Sequence, residues 1–158
     1  MAVFVNGSPH VIPNAEGETS TPSVVAYTAE RNLLVGTSAV EQSHRNPENT
    51  FFFAKAFLGR MPEDVQEEEV DELSCRLDLA GSKAYYMCSA IGRALSPEEI
   101  TALIFEKLVR DASAHLNGNV KRVVLSVPVH FDHAQRMAIK SAAHIANIEV
   151  ACLINETT

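Results

Sequence analysis

The sequence predicts an α/β fold organised on a βαβ unit, and three features point to it. Lys121 to Glu156 reads as strand, helix, strand. Ser96 opens a well-signalled helix just upstream, and short β-branched runs separated by turn residues fill the first fifty positions. Parallel strands need a crossover helix, so the unit implies a mainly parallel sheet, with ligands beyond the C-terminal ends of its strands.

From the N-terminus, Val3 to Val5 and Val11 to Ile12 flank Asn6-Gly7, a favoured type I′ pair, and predict a β-hairpin. Asn14 to Ser23 is a polar loop. Val24 to Tyr27 and Leu33 to Val35 read as strands around the turn Thr28 to Asn32, and Ser38 to Gln42 as a short helix after Gly36. His44 to Thr50 is a polar connector, Phe51 to Leu58 an aromatic stretch ended by Gly59-Arg60-Met61-Pro62, and Glu63 to Glu72 an acidic, solvated run. Leu73 to Leu79 alternates like an edge strand, with Gly81-Ser82 turning into Lys83 to Cys88.

Ser96, Pro97 and Glu99 form a capping box with proline at the first helical position. Ile100, Leu103, Ile104, Lys107, Leu108 and Ala112 keep the 3.6-residue period to Asn117-Gly118. Val123 to Val127 then reads as a buried strand ended by Pro128. Asp132 caps a helix over Ala134 to Ile145, and Ile148 to Ile154 is the second strand. Two parallel strands and a hairpin make a thin sheet, so a cropped domain or an absent partner is expected.

At 158 residues the chain is long enough for one domain with a core. A net charge of -7 excludes a phosphate-backbone reader as the first reading, though a small nucleotide site needs only local donors. Cys75, Cys88 and Cys152 lack metal-binding spacing and are expected as reduced thiols. Residues 1–12 lack the basic start and apolar core of a secretory signal, and no stretch reaches the length of a membrane span.

Few residues offer chemistry. Lys55 is a lone lysine among apolar neighbours, suited to a phosphate or to snorkelling above an aromatic cluster. Glu156, at the mouth of the predicted sheet, suits a magnesium shell or an ordinary loop. Pro128 ends a strand, and Arg136 with Lys140 forms an i,i+4 solvated stripe. His130 and His133 beside Asp132 leave a metal or acid–base role open. Neither GxxxxGK[ST] nor GxGxxG occurs.

Several stretches resemble one family. VIPNAEG (Val11 to Gly17), TPSVVAY (Thr21 to Tyr27), Val35-Gly36 with Ala39, NPENT (Asn46 to Thr50), K.FLGR (Lys55 to Arg60), LSVPVHFDHAQR (Leu125 to Arg136) and LINET (Leu153 to Thr157) are similar, in order, to the ATPase domain of the DnaK-type 70-kilodalton heat-shock chaperones. Residues 62–93 look shortened and divergent.

The resemblance implies a partial actin-like ATPase fold: a ribonuclease-H-like lobe with an incomplete sheet and a shortened inserted subdomain. Residues 1–158 would be a partial nucleotide-binding domain, with first-lobe elements at 1–37 and 96–158 and the inserted, divergent region at 38–95. By resemblance Lys55 and Glu156 are the catalytic and cofactor-binding residues, Lys55 near the γ-phosphate and Glu156 organising magnesium-bound water. Pro128 and Arg136 resemble the interdomain switch. No residue is a direct metal ligand. The implied cofactors are ATP or ADP with Mg2+.

The implied activity is ATP hydrolysis coupled to unfolded-peptide binding. Implied partners are the remainder of the nucleotide-binding domain, co-chaperones or a larger assembly. Unfolded peptides would be held only through a further domain, and neither nucleic acid nor membrane is expected. The cytoplasm or an organelle matrix, chloroplast or mitochondrion included, is the expected compartment, and not secretion.

The departures have consequences. The resemblance starts after the family's opening strand and phosphate loop, GIDLGTTNS, and lacks the second phosphate loop and second lobe, so the chain alone is expected not to turn over ATP. Ala56 stands where arginine is usual and His130 where an aromatic is usual, and the family's NEPT is Asn155, Glu156, Thr157, Thr158. The alternative is a non-catalytic structural or co-chaperone-interaction module within a larger assembly.

Overall fold

The computed structural model describes residues 1–156. β1 (Ala2–Val5) pairs antiparallel with β2 (Ser8–Val11). Asn6 and Gly7 between them have φ of 51 and 82, the left-handed pair that a type I′ turn requires. β3 (Val25–Tyr27) lies between β4 (Leu33–Val35) and β5 (Thr50–Phe51) in a second antiparallel sheet, and α1 (Thr37–Gln42) follows β4.

The connector is more ordered than its polarity suggests. Pro47–Asn49 makes one 3-10 turn, and the buried Asn49 carboxamide oxygen accepts from Ala90 N and Ser89 Oγ, each at 2.9 Å. The aromatic stretch splits into β5 and the single-turn α2 (Ala54–Phe57).

The acidic run is partly folded. After a 3-10 turn at Pro62–Asp64, Gln66 and Glu69 form a capping box that starts α3 (Glu67–Asp71). The strand expected across Leu73 to Leu79 shrinks to β6 (Leu77–Asp78), because its partner β7 (Tyr85–Cys88) meets it at two positions. A strand absent from the sequence reading, β8 (Arg93–Leu95), completes this sheet in the order β6-β7-β8. Its three residues are too few to register as alternation.

The long helix α4 (Pro97–His115) begins as the capping box predicts. Ser96 Oγ accepts from Glu99 N at 3.1 Å, and Glu99 Oε2 accepts from Ser96 N at 2.8 Å. β9 (Arg122–Val127), α5 (His133–Ile145) and β10 (Glu149–Asn155) form the βαβ unit with the two strands in parallel register. Among the described residues this is the single parallel pair; the other three sheets are antiparallel, since short turns join most of their strands.

β9 is not the fully buried strand its composition suggests. Val127 is buried, but Val124 is 53% exposed, because α5 covers one face of the pair and nothing described covers the other.

Two cores result. Val25, Phe51, Phe57, Tyr86, Leu95 and Ile100 pack where the small sheets meet α4. Leu58, Val127, Phe131, Ala138 and Ile139 pack beneath α5. The loop before β3 is strapped to α4 by Lys107, 4% exposed, whose Nζ donates to both Glu16 oxygens at 3.0 and 2.9 Å and to Asp111 Oδ2 at 2.8 Å. All three cysteines are free, and burial pushes the Cys75 thiol up to about 11.

Candidate functional site at the end of the parallel strands

The parallel pair brings two of the predicted residues side by side. β9 stops at Val127 because Pro128 has no N–H to continue the ladder. Glu156 N still donates to Val127 O at 2.9 Å, so Pro128 and Glu156 emerge together beyond the C-terminal ends. Phe131 N donates to Pro128 O at 3.1 Å, closing the turn into α5. Asp132 then caps α5, its Oδ1 accepting from Gln135 N at 2.8 Å.

Lys55 arrives from far away in sequence. Its Nζ lies 2.5 Å from Glu156 Oε1, with both side chains about half exposed at 50% and 42%. Burial of Ala54 and Phe57 anchors α2, and the Tyr86 hydroxyl, buried so that its pKa is pushed far up, donates to Phe52 O at 3.1 Å just ahead of it. Phe53 enters α2 in the left-handed conformation, φ 58. Gly59, φ +66, then touches the first turn of α5, where a Cβ would stand 2.7 Å from Ala134 C, Ala134 O and Gln135 N. The Lys55 segment is thus seated directly on the helix that carries Arg136.

Arg136 is not on a solvated stripe. It is half-buried, its Nε donating to Phe131 O at 2.9 Å and its Nη2 to Asn155 Oδ1 at 2.8 Å. Lys140, one turn on, is exposed as expected. Asn155 was missed by sequence reasoning. Its signal is positional: alternation along β10 places it with Leu153 on the covered side, where a polar residue needs a partner.

The histidines do not join this constellation. His130 is exposed with its ring against Phe131, and Asp132 is engaged by the helix cap. Among the described residues no cluster of three or more His, Cys, Asp or Glu could hold a metal. Thr157 and Thr158, in the altered NEPT stretch, lie outside the described residues.

Beside the pair opens an apolar groove of about 1610 Å3, lined by Met1 to Phe4, by Val123 to Ser126 of β9, and by Ile104, Phe105 and Leu108 of α4. β9 has one strand neighbour, β10, among the described residues, so its other edge is unpaired. The donor set fits a metal–phosphate group in its charges: one ammonium for phosphate oxygen, one carboxylate for metal-bound water. Ala56, next to Lys55, adds no second cation.

The profile of the family described as Hsp70 protein matches residues 1–158. The chain belongs to the Hsp70 family. It is 45% identical over 158 residues to the chaperone protein DnaK of Prochlorococcus marinus (strain MIT 9515), covering 100% of this chain and 25% of that protein. It is 43% identical to heat shock 70 kDa protein 7, chloroplastic, of Arabidopsis thaliana, and 46% identical to the stromal 70 kDa heat shock-related protein, chloroplastic, of Pisum sativum. In each case it covers 100% of itself and 22% of the relative. The chain therefore spans about a quarter of the length of the curated relatives it matches. Its mixed α/β elements and small sheets are those of part of the actin-like ATPase lobe of Hsp70 proteins.

Proposed function

We propose that this Hsp70-family chain is a partial nucleotide-binding domain of an ATP-dependent protein-folding chaperone. In this reading residues 1–37 and 96–158 supply first-lobe elements, and 38–95 form the inserted region. The observation that carries it is the 2.5 Å contact between Lys55 and Glu156 beside Pro128, where an α/β sheet places its ligands. Lys55 would face the terminal phosphate of ATP, and Glu156 would orient water on Mg2+, which supplies charge neutralisation when bound. Pro128 and Arg136 would pass the state of that site along α5 to a peptide-binding domain.

By itself the chain is proposed not to hydrolyse ATP. Phosphoryl transfer relies on a preorganised set of donors, and the described site contributes one cation and one carboxylate. Calorimetric titration with MgATP tests the reading. Binding that weakens in Lys55→Ala supports it, and no heat of binding removes it. Lys55-dependent phosphate release would overturn the statement on turnover.

A second reading, a non-catalytic module in a larger assembly, is favoured by the unpaired β9 edge over the apolar groove. The remainder of a nucleotide-binding domain or a co-chaperone would cover it, and unfolded peptide would be held by a further domain. A charge of -7 argues against nucleic acid, and no described helix is long and apolar enough to cross a membrane. The chloroplastic relatives support an organelle matrix, and the bacterial one the cytoplasm. Mixing the chain with the separately produced remainder of a relative's nucleotide-binding domain, then following hydrogen exchange on β9, tests this reading. Unchanged exchange counts against it.

A further inference from the structure

We infer that Asn155 is a positioning residue, holding Glu156 in register with Lys55 by tying the end of β10 to Arg136. The role assigned to the pair rests on the proposed nucleotide site; the contact itself does not.

Glu156, Val127, Pro128, Phe131, Arg136 and Asn155 form a closed ring, to which Lys55 attaches at Glu156. Lys55 Nζ donates to Glu156 Oε1 at 2.5 Å, and Glu156 N donates to Val127 O at 2.9 Å. Pro128 follows Val127, and its carbonyl accepts from Phe131 N at 3.1 Å. Phe131 O accepts from Arg136 Nε at 2.9 Å, and Arg136 Nη2 donates to Asn155 Oδ1 at 2.8 Å. Asn155 is bonded covalently to Glu156, which closes the circuit.

The ring is stiff, and the contact it carries to Lys55 is not. The guanidinium is a planar fork whose Nε and Nη2 fix the distance between the Pro128 turn and the end of β10. The backbone bonds extend the ladder. The Lys55–Glu156 pair, by contrast, is about half exposed at 50% and 42%, and an exposed ion pair has little hold of its own. Its geometry therefore depends on where the backbone delivers Glu156.

Asn155 decides that delivery. Arg has donors and no acceptor, so the amide oxygen must face it and the orientation is fixed. Glu156 follows β10 directly and continues its ladder by donating to Val127 O, so the alternation that holds Asn155 toward α5 sends Glu156 the other way, to Lys55. Releasing Asn155 frees that last residue pair to rotate.

The test is side-chain NMR on the isotope-labelled full chain, reading the nuclear Overhauser contact between the Lys55 ε-methylene and Glu156 γ-methylene protons. Asn155→Ala and Arg136→Met are expected to lose it, although neither residue touches Lys55. Asn155→Asp keeps an acceptor for Arg136 and is expected to keep it. A contact retained in Asn155→Ala or Arg136→Met, with native amide dispersion, overturns the assignment. So does its loss in Asn155→Asp. Should Asn155→Ala not fold, Arg136→Met decides alone. A mere pin between helix and strand would lower the melting temperature in both deletions and leave the contact in place. MgATP titration of the wild-type chain separates the two ideas: absent binding removes the nucleotide reading, while the proton contact still judges Asn155.

Discussion

Lys55 and Glu156 are 101 positions apart in the chain, and their side chains meet at 2.5 Å. An exposed pair of this kind is worth at most about 1 kcal/mol to folding. Lys55→Ala is therefore expected to shift the urea unfolding free energy by no more than about 1 kcal/mol while, on the proposed nucleotide role, weakening MgATP binding in calorimetry. Loss of both fold and binding would place Lys55 in the scaffold instead.

Gly59 is a point where no side chain fits. Its φ of +66 is left-handed, and an added Cβ would stand 2.7 Å from backbone atoms of Ala134 and Gln135. Left-handed backbone alone costs about 1–2 kcal/mol for a residue with a Cβ, and the clash adds to it. Gly59→Ala should lower the unfolding free energy by more than about 2 kcal/mol and separate α2 from α5. The control is Gly92→Ala, also at positive φ, 69, but with nothing within 4 Å of its Cβ. Equal losses at the two sites would refute the steric account.

Lys107 neutralises two carboxylates from inside the fold. Burial alone would lower its pKa, but hydrogen bonds to Asp111 and Glu16 raise it above 10.5. That contribution is complete below the ordinary lysine value and is lost as pH rises through the higher folded value. Lys107→Met leaves Asp111, 8% exposed, without its cation, and should cost about 3–5 kcal/mol in urea unfolding near neutral pH. The further change Asp111→Asn should recover part of the loss. No recovery would mean that packing, not charge, is what Lys107 supplies.

Arg60 clamps Glu69 with two hydrogen bonds of 2.8 Å, and Gln66 N adds another, holding the carboxyl at about 2. A depressed folded value means that the stabilisation is present above the ordinary carboxylate range and disappears as pH falls through it toward about 2. Wild type should exceed Glu69→Gln in melting temperature near neutral pH, with the gap closing in acid. A gap independent of pH would contradict this linkage.

The parts of the fold that were legible in the sequence are those fixed within a few residues. Asn6-Gly7 set a hairpin, and Ser96 with Glu99 set the start of α4, because both depend on local backbone bonding. Pro128 and Asp132 marked the turn between β9 and α5 for the same reason. What escaped depends on docking. Arg136 looked solvated because its partners, Asn155 and the Phe131 carbonyl, reach it only once β10 lies beside β9. The seat of Gly59 on Ala134 and the strap from Lys107 to Glu16 are likewise tertiary. β8 escaped because three residues carry no periodic signal, and β6 came out short because strand length is set by the partner.

The unpaired edge of β9 has a consequence for the life of the molecule. An apolar strand edge beside an apolar groove is the kind of surface by which unfolded chains aggregate and are recognised by quality control. Among the described residues β9 presents such a surface while folded. Any strand that pairs with that edge, from the same chain or another, therefore competes with self-association for it.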